Sequence, residues 1–372
     1  MLNLINDSQS TQVTPQLPIN WYLDPQILDL EQIFLFDQGP GYVGHEVMLP
    51  NVGDYYVLEW MNNAKVLVRS KKGIELLSNV CRHRQSILLK GRGNVKNIVC
   101  PVHQWTYSMD GKLLGAPHFP SNPCIDLGRT PLQNWNGLLF SGKRNVAQDM
   151  INLGALMDFD FSGYVLERVQ IKEYACNWKT YIEVFLEDYH IESCHPGLSN
   201  FVNTSELAWE FNDRYSVQTV GVKHALIAPG TEIYAKWHKQ VLRQVNGKTL
   251  TRGAIWMLYY PNIMLEWYPH VLIVSTLLAT GVERCTNVVE FYYPEEIALF
   301  EREFIKAEQA AYYETANEDD IICKSMTAGR RALYEQNINE TGPYQSPLED
   351  GVVHFHEYLW RELRLHAPKL KL

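Results

Sequence analysis

Positive charge, long apolar runs and paired cysteines are all scarce in this chain. Lysine and arginine number 33 against 42 aspartates and glutamates, a formal charge of −9. A nucleic-acid partner needs a cationic surface facing its phosphates, so that class is excluded. The most apolar stretch, 271–279, falls far short of the roughly 20 residues of a membrane-spanning helix, and its flank Trp267, Tyr268, Pro269, His270 suits a buried strand. No membrane association is expected. Residues 1–16 are polar and lack the basic-then-apolar order of a signal peptide, so they read as a loose tail. Seven cysteines, an odd number in a long chain, do not read as a disulfide framework. A reducing, cytoplasmic location is the expectation, with some thiolates free to bind metal.

What is present points to two globular domains. The 372 residues exceed one ordinary core, and 46% hydrophobic with 12% aromatic content excludes disorder. Short β-type runs at 54–60, 65–69, 74–77, 97–100, 105–108 and 138–140 alternate with turn signals at Lys72-Gly73, 91–94 and Asp110-Gly111. They predict a small all-β domain, with the three prolines of 120–131 as a connector near its end. Beyond about residue 150 the texture changes: 177–190 reads as helix, 215–295 as longer strands, and 295–336 as a long helical region broken near 318–320 or Gly329. The expected class is α+β, an antiparallel sheet packed against helices. No internal repeat is visible.

The strongest chemical signal is Cys81-Arg82-His83 followed by Cys100-Pro101-Val102-His103. With 7 cysteines and 12 histidines in the chain, any one Cys–His spacing arises only about 0.2 times by chance. Zinc sites usually group Cys with Cys and His with His. Here each loop supplies one of each, as a Rieske [2Fe–2S] cluster requires: two thiolates on one iron, two neutral imidazoles on the other. The surroundings, Asn79-Val80-Cys81-Arg82-His83-Arg84 and Cys100-Pro101-Val102-His103-Gln104-Trp105-Thr106-Tyr107, resemble the Rieske domain of aromatic-ring-hydroxylating and quaternary-ammonium oxygenases. Gln104 departs from the glycine common there. Respiratory Rieske proteins add a cysteine to each loop, where this chain has Gln85, Ser86 and Val102.

A second segment resembles the mononuclear-iron motif of the same oxygenases: Asn177-Trp178-Lys179-Thr180-Tyr181-Ile182-Glu183-Val184-Phe185-Leu186-Glu187-Asp188-Tyr189-His190, then His195-Pro196. On a regular helix Glu183, Glu187 and His190 share one face, whereas His190 and His195 do not. Pro196 disfavours the helical region for His195, so the helix should end before it and let the second imidazole return to the first. A 2-His-1-carboxylate triad needs one distant acid. The resemblance places it in Glu318-Asp319-Asp320-Ile321-Ile322-Cys323, with Asp319 at the matching position and Asp320 in reserve. It also implies that Glu187 bridges His190 to the cluster histidine His103 (His83 less so) of a neighbouring subunit. Val184 departs from an asparagine that many members carry near the iron. His354 and His356 alternate on an expected strand and read as structural or pocket-lining.

The resemblance covers nearly the whole chain and implies a catalytic subunit in three parts: an N-terminal segment over 1–40, packing on the catalytic domain, an all-β Rieske domain over 41–148, and a helix-grip (START-like) catalytic domain over 149–372. It implies Fe(II) on His190, His195 and Asp319, a cluster on Cys81, His83, Cys100 and His103, O₂, and NAD(P)H-derived electrons from a partner reductase or ferredoxin. A homotrimer is implied as well. Glutamate rather than aspartate at 187 is similar to members acting on choline, carnitine or betaine-like compounds. Trp209, Trp237, Trp256, Tyr259, Trp267 and Tyr268 are candidates for an aromatic cage around such cations; an aromatic acid or ring is the other substrate class. The competing reading is a Rieske electron carrier with a non-catalytic binding domain. Lys90, Arg92 and Lys96, with Arg82 and Arg84, form a candidate docking patch for an acidic reductase.

Overall fold

The computed structural model describes residues 16–223 and 226–364; apart from Gln16, the tail expected over 1–16 lies outside the described residues. The first part of the chain folds into three small antiparallel sheets. The largest has five strands in the order Arg92–Asn94, Asp54–Val57, Lys65–Ser70, Gly73–Ser78, Arg129–Thr130. A three-stranded sheet of Ile98–Val99, Thr106–Tyr107 and Leu113–Gly115 faces it. Val57, Val66, Val68, Leu77, Ile98 and Tyr107 fill the space between them, together with Cys81 and Cys100. Both cysteines are thus fixed by a core rather than left on mobile loops.

The second part is one seven-stranded antiparallel sheet. Its strands in chain order are β1 (Tyr164–Tyr174), β2 (Val202–Asn212), β3 (Tyr215–Val222), β4 (Ala254–Tyr259), β5 (Ile263–Tyr268), β6 (Val271–Gly281) and β7 (Arg284–Pro294), laid side by side as β1-β7-β6-β5-β4-β3-β2. The central strands are buried along most of their length, which is why their sequences read as near-continuous apolar runs. Tyr42 of the N-terminal part donates to Oε2 of the buried Glu290 on β7 at 2.6 Å and so ties the two parts together, while Tyr292 of the same strand donates to that oxygen at 2.6 Å.

Five α-helices of seven residues or more, among the described residues, complete the frame. α1 (Pro25–Glu31) opens on an Asp24 cap, whose side chain accepts from the Gln26 amide, with proline at the first helical position. It docks on α2 (Trp178–Phe185) through Glu31, which takes the Trp178 indole N–H at 2.6 Å and the wholly buried Lys179 ammonium at 2.5 Å. α3 (Glu232–Val245) lies inside the region expected to be all strand. Thr231 caps it, and Tyr234, Trp237, His238, Val241 and Val245 bury one face at helical spacing. Their aromatic and β-branched character mimics a strand, and the period decides.

α4 (Arg302–Glu335) runs unbroken for 34 residues, against the expected interruption near 318–320 or Gly329. Partners absorb the charges of 318–320, and a lone glycine costs a helix only about 1 kcal/mol. The chain instead bends at Glu301 (φ −113°, ψ 54°), which separates Glu295–Phe300 from α4. α5 (Asp350–Leu363) corrects the strand expected around His354 and His356. Val352, Phe355, His356, Leu359 and Leu363 are buried at helical spacing. His356 Nε2 meets Glu183 Oε1 at 3.0 Å and His354 Nδ1 meets the Tyr260 hydroxyl at 2.6 Å, so both histidines are structural. No described helix is long and apolar enough to cross a membrane.

Candidate metal centres

The two Cys–His loops fold alike. In the first, Cys81 N–H donates to Ser86 O (2.8 Å) and Gln85 N–H to Cys81 O (3.1 Å); in the second, Cys100 N–H donates to Trp105 O (2.8 Å) and Gln104 N–H to Cys100 O (3.1 Å). Gln85 (φ 56°) and Gln104 (φ 58°) both occupy the left-handed region. That is the physical reason glycine is favoured there, and the reason the Gln104 departure is tolerable at a modest conformational cost. The paired turns hold both thiols buried and bring the rings of His83 and His103 to 4.6 Å between centroids. His83 stacks on Trp105 at 4.9 Å, and its buried Nδ1 has no hydrogen-bond partner. Burial would raise the Cys81 thiol, but the His83 amide and the Tyr107 hydroxyl (3.6 Å from Sγ) bring it down overall. Two buried thiols, of which Cys81 is inclined to ionise, and an unpartnered imidazole nitrogen fit a [2Fe–2S] cluster bound through Cys81, His83, Cys100 and His103. His103 is exposed at the outer end.

The second site is built by a helix that stops early. α2 ends at Phe185, so Glu183, Glu187 and His190 do not share a helical face as the periodicity predicts. Asp188 N–H leaves the helix to donate to Leu348 O at 3.0 Å. Glu183 turns inward to Tyr22, Arg330 and His356. Glu187 begins a new turn, its Oε2 accepting the His190 backbone N–H at 3.0 Å and starting the short helix Ile191–Cys194. His195, ahead of Pro196, leaves the helical region (φ −119°, ψ 79°) and returns its ring to His190 as expected.

Hydrogen bonds then fix the tautomers. His190 Nδ1 lies 2.5 Å from Glu187 Oε1, and His195 Nδ1 lies 2.7 Å from Glu318 Oε2. A carboxylate only accepts, so in each neutral ring Nδ1 carries the proton and Nε2 presents a lone pair. The two Nε2 atoms are 2.9 Å apart, and Asp319 Oδ1 lies 3.0 Å from His195 Nε2 and 3.5 Å from His190 Nε2. Ligands held at right angles about 2.1 Å from one ion are about 3.0 Å apart. Three electron-pair donors at such spacing, on one side of a common point, fit a mononuclear cation with other positions open. No other cluster of three metal-ligating groups this tight occurs among the described residues. Asp320 points elsewhere, to Lys324 at 2.9 Å.

Electrostatics agree. Burial opposes the charged form of His190, yet Asp319 and Glu187 hold its pKa up at about 10. The place demands positive charge, which a metal or, failing that, a proton supplies. A folded-state pKa raised above the unfolded value near 6.5 stabilises the fold fully below about pH 6.5, and that stabilisation is lost as pH climbs towards 10. Chelator-stripped protein is therefore expected to lose several degrees of melting temperature between pH 6.5 and 10, and iron-loaded protein much less. Parallel melting curves of the two forms check this.

A cavity of about 860 Å³, mouth included, opens on His190, His195 and Asp319 between the sheet, α3 and α4. Trp237, Trp256 and Tyr268 of the six cage candidates line it. Trp209 instead donates to Pro347 O, Tyr259 to Asp149, and Trp267 packs in the core on the other side. Val184 also faces the cavity, which has an amide from Asn287 of β7. Motif reading left Glu318, Glu266 and Glu308 unassigned. Their available signals were an acid adjoining a candidate ligand and single acids inside apolar segments.

Residues 160–364 match the ring hydroxylating alpha subunit (catalytic domain) family, and residues 41–133 match the Rieske [2Fe-2S] domain family. The chain is 58% identical over 346 residues to putrescine 2-hydroxylase of Ralstonia nicotianae, spanning 93% of this chain and 95% of that protein. It is 50% identical to putrescine 2-hydroxylase of Bordetella bronchiseptica, across 93% of this chain and 84% of that one. Its fold is similar to the crystal structure of the quaternary ammonium Rieske monooxygenase CntA in complex with an inhibitor (TM-score 0.73, 19% identity, 94% and 96% of the two chains). These findings favour an oxygenase over a Rieske electron carrier with a non-catalytic domain. The chain belongs to the Rieske non-haem iron ring-hydroxylating oxygenases as an alpha (catalytic) subunit, with a [2Fe–2S] cluster and a mononuclear iron as its cofactors.

Proposed function

We propose that this chain hydroxylates a short aliphatic diamine of the putrescine kind. The observation that carries the reading is the cavity over the three metal-facing atoms: its walls are aromatic and acidic, and no lysine or arginine among the described residues lines it. A cationic amine fits such walls; an aromatic acid does not. The identity to two putrescine 2-hydroxylases supports the same choice over quaternary ammonium compounds.

In this reading His190, His195 and Asp319 hold the iron, and Cys81, His83, Cys100 and His103 hold the cluster. When bound, the cluster delivers single electrons and the iron activates O₂. The chain's own groups do the rest. Glu187 and Glu318 keep both imidazoles in the ligating tautomer. The aromatic walls keep water from the reacting carbon, and the acids orient the amine. Glu187 also joins His190 to a cluster histidine of the next subunit in a head-to-tail homotrimer, with residues 1–40, 41–148 and 149–372 as the three working parts of each subunit. Support for a route between subunits comes from a solved structure of CntA, which is described as revealing inter-subunit electron transfer.

The test is anaerobic loading with iron, addition of a reductase and NAD(P)H, and product analysis for putrescine beside choline, carnitine and benzoate. A hydroxylated diamine formed with coupled O₂ uptake is expected. Turnover of a quaternary amine or an aromatic acid in its place would overturn the substrate assignment.

The reductase is expected to dock on Arg82, Arg84, Lys90, Arg92 and Lys96, which are all exposed and make no ion pair among the described residues. Attraction between exposed charges fades over a Debye length of about 8 Å at physiological salt. Stopped-flow reduction of the cluster should therefore slow at least about tenfold between low and high ionic strength. A flat profile would remove the patch from the docking site.

A further inference from the structure

Glu266 and Glu308 are buried carboxylates with no ion pair among the described residues, and both face the cavity over the metal site. The fold treats other buried acids differently: Glu31 has Lys179, and Glu183 has Arg330. Two further buried acids lack a cation among the described residues: Glu290 lies outside the cavity and takes two tyrosine donors, while Asp188, in the cavity wall beside His190, accepts from the Gln218 amide and keeps Oδ2 without a partner. Glu266 has one donor, the Tyr268 hydroxyl at 2.9 Å, and Glu308 has one, the Tyr293 hydroxyl. A buried carboxylate with a single neutral donor is costly to ionise. Burial pushes Glu266 up to about 7 and Glu308 up to about 8.

The two acids sit on opposite walls. Met264, Glu266 and Tyr268 alternate on β5 and so share the face that looks at α4. On α4 the cavity is lined by Glu308, Ala311, Tyr312, Thr315, Ala316 and Asp319, a single stripe at helical spacing. Ala311, Thr315 and Ala316 occupy its middle beside Tyr312, with an acid at each end. Glu308 and Asp319 are three turns apart, roughly 16 Å of rise at 1.5 Å per residue. Glu266, on the wall opposite, lies within electrostatic reach of both Asp319 and Glu308 and so stands nearer the metal than Glu308 does. Asn287 adds a buried Oδ1 with no hydrogen-bond partner, while its amide nitrogen contacts the Tyr181 hydroxyl at 3.1 Å. Apart from Asp319, the side-chain atoms left without a partner in the cavity wall are Asn287 Oδ1, Asp188 Oδ2 and the Ser275 hydroxyl, and all three can accept. With Glu266 and Glu308 they match a ligand with a multiply donating cation at each end and methylenes between.

We infer that Glu266 and Glu308 are the specificity-determining residues that hold the two ammonium groups of the substrate, Glu266 at the iron end and Glu308 at the far end. The inference rests on the diamine reading above and adds to it the groups that measure charge and length. Holding both ends places one inner methylene, rather than an amine, over the iron.

The test compares 1,4-diaminobutane with 4-amino-1-butanol, which replaces one ammonium by a neutral hydroxyl, and with 1,5-diaminopentane. Wild type is expected to prefer the diamine to the amino alcohol by about 100-fold in kcat/KM, because an unpaired buried acid is left facing the hydroxyl. Glu308→Gln keeps the shape and an acceptor for Tyr293. It should cut that preference to within about fivefold, raise KM for the diamine far more than it changes kcat, and weaken anaerobic equilibrium binding of 1,4-diaminobutane in parallel. Iron content and cluster absorption should not change. Glu266→Gln should behave likewise. Glu308→Asp keeps the charge one methylene further back and is expected to shift the preference towards 1,5-diaminopentane, which preserves the test if the glutamine variants do not fold. Wild-type selectivity retained in either glutamine variant, or an unmoved length preference in Glu308→Asp, would overturn the inference. A wild-type protein that oxidises no diamine fails at the earlier step and refutes the substrate class itself.

Discussion

Glu187→Gln is expected to leave both metal centres loaded and the cluster reducible, yet to lower product formation by about 100-fold or more. The carboxylate already uses both oxygens within its own subunit, one on His190 Nδ1 at 2.5 Å and one on the His190 backbone N–H at 3.0 Å. Each oxygen keeps a second lone pair that an imidazole N–H from a neighbouring subunit can engage. Glutamine has one accepting oxygen, and its NH₂ would face a second donor. The amide can therefore satisfy His190 or the neighbour's histidine, and cannot follow a change in protonation of either. Rapid-freeze EPR of the reduced cluster, beside single-turnover product yield, separates slow transfer from loss of a centre. Mixed assemblies sharpen the test. Chains with Glu187→Gln combined with chains carrying His103→Ala should recover activity, since some interfaces then join an intact cluster to an intact bridge and iron. Activity at the wild-type level in the single variant, or no recovery in well-mixed assemblies, would dismiss the route.

Asp319→Ala should abolish mononuclear iron binding and drop product formation by more than about 1,000-fold. Loss of a second-sphere partner alone costs 10–100-fold, and a ligand contributes more. The visible spectrum of the cluster should persist, because the loops of Cys81 and Cys100 are held by their own core. Asp320→Ala is the control. Its carboxylate pairs with Lys324 on the helix surface, so removing it should change iron content little. The opposite result, iron lost with Asp320 and kept without Asp319, would move the ligand by one residue. Metal analysis after anaerobic loading decides between them.

The comparison of these two acids shows what sequence could supply. The Cys–His spacings were legible because ligand identity and loop length are local properties, and the His190–His195 pair through a resemblance that Pro196 made geometrically sound. Asp319 was legible only through resemblance, since nothing in the spacing of Glu318-Asp319-Asp320 says which carboxylate turns inward. The early end of α2 was hidden, because Asp188 is drawn off by Leu348 O, a contact 160 residues away. α3 and α5 were misread as strands for a related reason. Tyr234, Trp237 and Val241, and Val352 with Val353, carry β-type composition, and only burial against the sheet reveals their helical period. Glu266 and Glu308 were invisible as a pair: one sits on β5 and the other on α4, and the cavity alone makes them neighbours.

The unbroken course of α4 restricts how such an enzyme can change. Glu308 and Asp319 stand on one rigid rod, so their separation and relative bearing are set by helix geometry. Insertion of a single residue between them would lengthen the rod by only about 1.5 Å but swing one acid about 100° away from the other. Such an insertion would lose the stripe before it gained a longer substrate. Lineages that take up larger or smaller amines are therefore expected to keep the register of this segment and to vary the side chains along it, or to vary the strand opposite, where period-two alternation lets one residue be exchanged without turning its neighbours.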